Sequence, residues 1–389
     1  MIEKNQIKFC KIFLTLLVII GTYLAVIGGY GSDEDTLPMI GVFIGILHGG
    51  ELMSSRFTGY PVAEIGIGFL SYYFGSFVVN IITFLNFLIG LIFFYLSFQK
   101  KYNKEILYFL IACLTNSVLF FDNLEPMDYS WALLFFSLGL FSFSRKYFEF
   151  AVIFFGICIG TRINFTIFVI FAIAFFPLEH NQSLYKKISI ILISIFIGGL
   201  FYTPIWYQNQ FGLDWLTAAR PLEQGFTGLL VRFIYKTSHA IGLILLFFLI
   251  SNIFLRKIKF FDLYKNKVIF YLAISNLLLF LYIPAELGYL QIFLISMYYF
   301  IVRHFNKKIF LAVILINLSG WLVNFDIIKI EHKYSNVCDA VQATGASFDF
   351  QVKKGSFKKF LDTRSLIECW VTDKNSDYGQ KIISGKPLR

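Results

Sequence analysis

The sequence predicts an all-α polytopic membrane protein with about eleven transmembrane helices, interfacial helices in its first extracytoplasmic loop and a small C-terminal extracytoplasmic tail. Three observations predict this. Of the 389 residues 57% are hydrophobic and only 15% charged, where a soluble domain carries about 25% charge. Apolar runs approaching the roughly 20 residues that span a bilayer recur along the chain. The short loops between them alternate in the sign of their charge. Disorder is excluded by 49 Phe, 22 Tyr and 5 Trp. The net charge of +10 does not point to nucleic acid, because most Lys and Arg sit in short inter-span loops.

The first run, residues 9–30, follows Lys4 and Lys8 and contains Lys11. It is longer than a signal-peptide core and lacks a small-residue cleavage site, so it reads as a retained span with the N-terminus in the cytoplasm. Later runs fall near 76–98, 105–121, 129–144, 147–160, 163–178, 188–204, 232–254, 267–284, 287–302 and 308–324. The two runs flanking Thr161-Arg162 read either as half-spans or as one broken helix. Basic loops carry Lys100, Lys101 and Lys104; Arg145 and Lys146; Lys186 and Lys187; Arg256 to Lys267; and Arg303 to Lys308. Acidic loops carry Asp33, Glu34 and Asp35; Asp122, Glu125 and Asp128; and Glu286. With eleven spans every basic loop shares the N-terminal side, which the orientation rule places in the cytoplasm.

Residues 1–324 form the transmembrane unit. Two longer acidic-side segments interrupt it. Residues 31–75 hold two semi-apolar stretches, Leu37–Leu47 and Val62–Phe74, of a length that suits helices along the interface. Residues 205–231 form the second. The polar, Lys-rich tail 325–389 is a small domain at most. Its Cys338 and Cys369 pair if it faces an oxidising compartment and stay free thiols otherwise. Cys10, Cys113 and Cys158 lie in apolar segments as small buried hydrophobes.

The first acidic-side loop begins Gly31-Ser-Asp-Glu-Asp-Thr and continues Ser54-Ser-Arg-Phe-Thr-Gly-Tyr-Pro61. Three acids in a row read as a solvated helix stop or as a reactive cluster. Asp35 would stand at the N-terminus of the next amphipathic stretch, where backbone N–H groups favour its ionised form. Arg56 follows in a segment poor in charge, and Gly59 and Pro61 bracket Tyr60 in a rigid turn. At the same face lie Glu125 and Asp128, Arg162 in Gly160-Thr-Arg-Ile-Asn164, Arg220, Arg232, and Glu286 with Tyr289. An ionisable group between apolar runs is costly and marks function or a structural ion pair; for Arg232 and Asp128 the ion pair is favoured. Arginine suits phosphate because its planar fork bonds bidentately.

These motifs resemble the GT-C glycosyltransferases, polytopic enzymes that use lipid-phosphate-linked sugars, including the protein O-mannosyltransferases and the aminoarabinose transferase of lipid A. The likeness rests on Ser32-Asp-Glu-Asp-Thr36, Ser55-Arg-Phe-Thr-Gly-Tyr-Pro61, Glu125-Pro126, Gly160-Thr-Arg-Ile-Asn164 and Pro284-Ala-Glu-Leu-Gly-Tyr-Leu290, in the family's order over about residues 1–300. The resemblance implies that an Asp of the first loop is the base that deprotonates the acceptor hydroxyl. Asp35 fits one subgroup; Asp33, followed by Glu34, fits another. Arg56, Arg162, Arg220 and Arg232 become candidates for the donor phosphate, and Tyr60, Glu125, Glu286 and Tyr289 for other donor contacts. Mg²⁺ or Mn²⁺ on Asp33 and Asp35 is permitted, as some relatives use a divalent metal.

The expected partners are a polyprenyl-phosphate sugar, a glycan, glycolipid or protein acceptor, and the lipid bilayer. The expected setting is a bacterial plasma membrane with an extracytoplasmic site. A lipid-linked oligosaccharide flippase or a polysaccharide polymerase or ligase is the alternative. Tyr202, Trp206, Tyr207 and Trp215 read as an interfacial belt or as sugar platforms. His48 and His239 read as isolated structural or interfacial residues.

Overall fold

The computed structural model describes residues 2–31, 36–50, 55, 59–99, 104–177, 184–210, 225–254, 266–284, 287–304, 307–332, 343–363, 371 and 374–389. The described chain is mostly helical. In order come α1 (Ile2–Ile27), α2 (Thr36–Leu47), α3 (Pro61–Ser97), α4 (Glu105–Thr115), α5 (Ser117–Phe121), α6 (Asp128–Ser144), α7 (Phe148–Thr161) and α8 (Phe165–Phe175). Next are α9 (Leu184–Gln208), α10 (Gly225–Ile241), α11 (Leu243–Phe254), α12 (Lys267–Tyr282), a 3-10 turn (Leu287–Leu290), α13 (Gln291–His304) and α14 (Lys307–Leu322). The tail adds β1 (Val323–His332), β2 (Ala343–Lys354), α15 (Ser356–Thr363) and α16 (Asp377–Ile383).

Among the described residues three helices are long and apolar enough to cross a membrane: Asn5–Ile27 within α1, α3 and α9. A fourth span results if α10 and α11, bent by 85° across Gly242, act together. This compares with the eleven expected. Most of the other expected spans fall on shorter helices, among them α4, α7, α8 and α12, each of 10–17 residues. The run 105–121 breaks at Asn116, whose backbone is extended and whose side chain caps α5 by accepting from Leu119 N at 2.9 Å. The same Asn116 donates to Ala240 O and to Tyr298 Oη, both at 3.0 Å, so the break is held from two sides. At Arg162 the backbone is again extended, and α7 and α8 are separate helices. α7 packs on α6 and α9, whereas α8 packs on α12. The stretch 62–74 is continuous with α3, but Gly75 interrupts it with φ +79° and ψ −178°, a region open only to glycine.

Close helix contacts use small residues, as expected where lipid supplies no hydrophobic drive between helices. A Cβ on Gly139 would meet the Phe155 ring at 2.6 Å, one on Gly156 would meet Ile197 at 2.5 Å, and one on Gly198 would meet Ile159 at 2.4 Å. These notches bring α6, α7 and α9 together. The main core is aliphatic and aromatic, with Phe84, Phe87, Phe94, Phe109 and Phe136 fully buried.

Several helix ends meet at one end of the bundle. Arg303 pairs with Glu105 at 2.9 Å, Lys307 donates to Gln6 at 3.0 Å, and Arg145 donates to Gln99 O at 2.8 Å. The other end holds Tyr30, Met39, Tyr60, Met127 and Tyr129 in a second core, joined by Val371, Ile382 and Leu388 of the tail.

The tail departs from the all-α expectation. β1 and β2 form one antiparallel hairpin with Val323 opposite Lys354 and Phe325 opposite Val352. The last residues lace onto the α3 break: Ser76 N donates to Gly385 O at 3.0 Å, and Leu388 N donates to Tyr72 O at 3.0 Å. A Cβ on Gly75 would stand 2.7 Å from Gly385 O, so glycine is required there on two counts. Cys338 and Cys369 lie outside the described residues.

Candidate functional site

Arg162 organises the second core. It follows α7, its N–H donates to Cys158 O at 2.9 Å, and its side chain is 1% exposed. Its Nη1 lies 3.0 Å from Oδ2 of Asp128, itself fully buried in the first turn of α6. The guanidinium carbon sits 4.0 Å from the ring centre of Tyr129, 4.5 Å from Tyr289 and 5.0 Å from Tyr60. Negative ring faces stabilise a cation that has lost its water. Sequence-distant motifs thus meet on one residue: Tyr60 and Tyr289 come together around Arg162. The partner of Arg162 is Asp128, in accord with the structural ion pair favoured for that acid.

Local sequence explains the geometry. Gly59 takes φ +66° and Pro61 opens α3, which fixes Tyr60 between them. Glu64, one turn into α3, accepts from Ser55 N at 3.0 Å and from the Ser55 hydroxyl, so the residue before Arg56 is held to the same helix. Gly288 lets Tyr129 approach, since a Cβ there would meet its ring at 2.5 Å.

Tyr129 also lines a cavity of about 310 Å³, within the size range of small-molecule sites. Asp122 and Glu125 line it, and so do Lys236, His239 and Lys359, with Ser117, Phe121 and Phe360 among the remaining residues. Acidic and basic side chains therefore share the lining of one cavity. Gly31 abuts Glu125: with φ +87°, a Cβ there would stand 2.6 Å from Glu125 Oε2. Thr36 donates to Met127 Sδ at 4.0 Å. Both residues that flank the acidic run are thus seated against Glu125–Met127.

Asp33, Glu34, Asp35, Arg56, Arg220 and Glu286 lie outside the described residues, as does Trp215. The divalent metal permitted on Asp33 and Asp35 concerns residues outside the described ones as well. Among the described residues no cluster of His, Cys, Asp and Glu has the composition of a metal site. Arg232 is half-buried on α10 and does not join the Arg162 cluster. Tyr202 is buried with Ile205 and Ile163, whereas Trp206 and Tyr207 are exposed.

His239 is not isolated. Its Nδ1 is 3.1 Å from Asp326 Oδ1, and Lys353 Nζ is 2.8 Å from Asp326 Oδ2. The hairpin therefore grips α10 through a buried carboxylate. Burial raises the Asp326 pKa, but hydrogen bonds from His239 and Lys353 and their charges outweigh it, and the net shift is downward. A depressed carboxylate stabilises the fold above its unfolded pKa of about 3.9, and that stability is lost as pH falls through the folded value. Protection of the β1 amides, taken relative to their intrinsic exchange rate at each pH, is expected to fall below about pH 4 in the native protein. Asp326→Asn should lower that protection at neutral pH and flatten its acid response.

Lys236, His239, Lys359, Tyr129 and Asp326 were not singled out as site residues by sequence reasoning. For α10 a signal existed, because Arg232, Lys236 and His239 recur at four- and three-residue spacing along one helix face. For Lys359 and Asp326 it did not, since the tail's fold back onto the bundle is set by tertiary contacts. Compared with family models, curated proteins and solved structures, the chain matches none of them.

Proposed function

We propose that this protein is an inverting membrane glycosyltransferase that moves a sugar from a polyprenyl phosphate to an extracytoplasmic glycan, glycolipid or protein acceptor. The observation that carries the reading is the cavity beside the flanks of the acidic run. It sets Asp122 and Glu125 with Lys236, His239 and Lys359 at the boundary of an apolar helix bundle. Such a lining suits a sugar on the carboxylate side and a phosphate on the cationic side.

In this mechanism one carboxylate of Asp33 or Asp35 takes the proton of the acceptor hydroxyl. The acceptor oxygen attacks the anomeric carbon in line, and the bond to the phosphate oxygen breaks with its electron pair leaving on phosphate. Cations at the cavity stabilise that charge. Arg162, paired with Asp128 and enclosed by three tyrosines, positions Tyr129 on the cavity wall. Arg56 and Arg220 remain candidates for direct phosphate contact. If a divalent cation takes part, Asp33 and Asp35 would hold it and it would neutralise phosphate charge. The alternating charge of the loops supports about eleven membrane crossings with a cytoplasmic N-terminus.

Binding of undecaprenyl phosphate to the purified protein tests the cavity. Lys236→Met is expected to weaken it about tenfold, the loss of one charge-assisted hydrogen bond of roughly 1.5 kcal/mol. Unchanged binding in both Lys236→Met and Lys359→Met would place the phosphate elsewhere.

A further inference from the structure

The hairpin of the tail is inverted relative to a water-facing one. Antiparallel partners share a face, and alternate residues take opposite faces. The register therefore sorts the described side chains into two sets. Asn324, Asp326, Gln351 and Lys353 form one face. It is turned to the protein: Asp326 is buried against His239, and Asn324 donates to Ser356 Oγ at 3.1 Å. The opposite face carries Val323, Phe325, Phe350 and Val352, with Lys354 at its end. Here Phe350 is 63% exposed and Val352 65%, and Phe325 stacks on Phe350 at 5.8 Å. A soluble hairpin would hide the apolar face and wet the polar one.

The exposed face has a neighbour that says what covers it. On α14, Leu311, Leu315 and Leu322 are exposed at 57%, 59% and 74%. Their spacing of four and seven places them on one stripe of the helix. β1 begins at the residue after Leu322, so the exposed stripe of an apolar helix runs without a break onto Val323, Phe325, Phe350 and Val352. Lys354, opposite Val323, stands at the end of this face next to α14.

We propose that this hairpin face is a membrane-docking surface, seated in the headgroup layer and first methylenes of the leaflet beside α14. Its depth is limited by chemistry. The two outer edges of a two-stranded sheet keep backbone groups that hydrocarbon cannot satisfy, so the hairpin lies in the interface and does not enter the bilayer core. Aromatic side chains and lysines at that level are the usual interfacial anchors. The consequence for the site is direct: Asp326 on the inner face holds His239 at the cavity wall, so the depth of the hairpin sets the depth of the cavity against the lipid surface. The docking itself rests on exposure and register, and does not depend on which reaction the cavity performs.

The test places 4-trifluoromethyl-phenylalanine at position 350 of the full chain, in nanodiscs of phosphatidylethanolamine and phosphatidylglycerol. A second label at Lys358 serves as the water-facing reference. Fluorine relaxation is measured with a spin-labelled lipid whose label sits just below the headgroups and, separately, with a water-soluble nickel chelate. The expected result is a lipid effect several-fold larger than the chelate effect at 350, with the order reversed at 358. A chelate effect at 350 equal to that at 358 overturns the proposal. So does protection of 350 from both agents, which would mean that another protein surface covers it.

Discussion

Asp128→Asn is expected to destabilise the protein by about 3–5 kcal/mol, the cost of leaving one partner of a buried ion pair alone. Arg162 has no other carboxylate in contact among the described residues, and a guanidinium does not neutralise itself by losing a proton. The three tyrosine faces offset part of this, each by about 0.5–2 kcal/mol. Arg162→Met should cost less, because a lone carboxyl group is able to take up a proton. The double variant Asp128→Leu with Arg162→Met should recover much of the loss, since a well-packed apolar pair often matches a buried salt bridge. Denaturant unfolding in detergent, followed by tyrosine and tryptophan fluorescence, measures all three. A loss below about 1 kcal/mol in Asp128→Asn, typical of a surface change, would mean that Arg162 finds its compensation elsewhere.

Asp35→Asn is expected to abolish transfer while the protein still folds, with at least a hundredfold fall in rate, the range of a lost general base. Asp35 belongs to a polar run of the sequence, and asparagine keeps its size and shape without its charge. Thr36 and Gly31 stay seated on Met127 and Glu125. Asp33→Asn is the paired control. An inactive Asp33 variant beside an active Asp35 variant would move the base to Asp33. Full activity in both would contradict the carboxylate mechanism. Tyr60, Tyr129 and Tyr289 variants should behave differently, lowering stability and activity together through Arg162.

The helical, membrane-bound character was legible because it is written in composition and in the sign of short loops. Tyr60, Arg162 and Tyr289 stood out because each is placed where an apolar run stops, but their packing on one another was not legible. The Gly59-Tyr60-Pro61 turn was legible too, since glycine and proline fix backbone angles locally. The breaks at Asn116 and Gly75 were not, because a single polar or small residue inside an apolar run is tolerated by many helices. What breaks these two is contact with Ala240, Tyr298 and Gly385, far away in sequence. The hairpin was hidden for a related reason: its alternation of apolar and polar residues puts the polar face inward, against a histidine that sequence alone left without a partner. Lys236 and His239 at the cavity could have been found from their helical spacing, but the arginines drew the phosphate assignment away from them.

The most direct measurement is consumption of lipid-linked donor by the purified protein, across a panel of polyprenyl-phosphate sugars and with Asp33→Asn and Asp35→Asn alongside. The account predicts loss of one donor, with release of polyprenyl phosphate, that disappears in one of the two variants. A protein that binds these lipids, is folded, and releases no polyprenyl phosphate from any of them with glycan, glycolipid and protein acceptors present would contradict it. That outcome would favour movement of the intact lipid-linked sugar across the membrane.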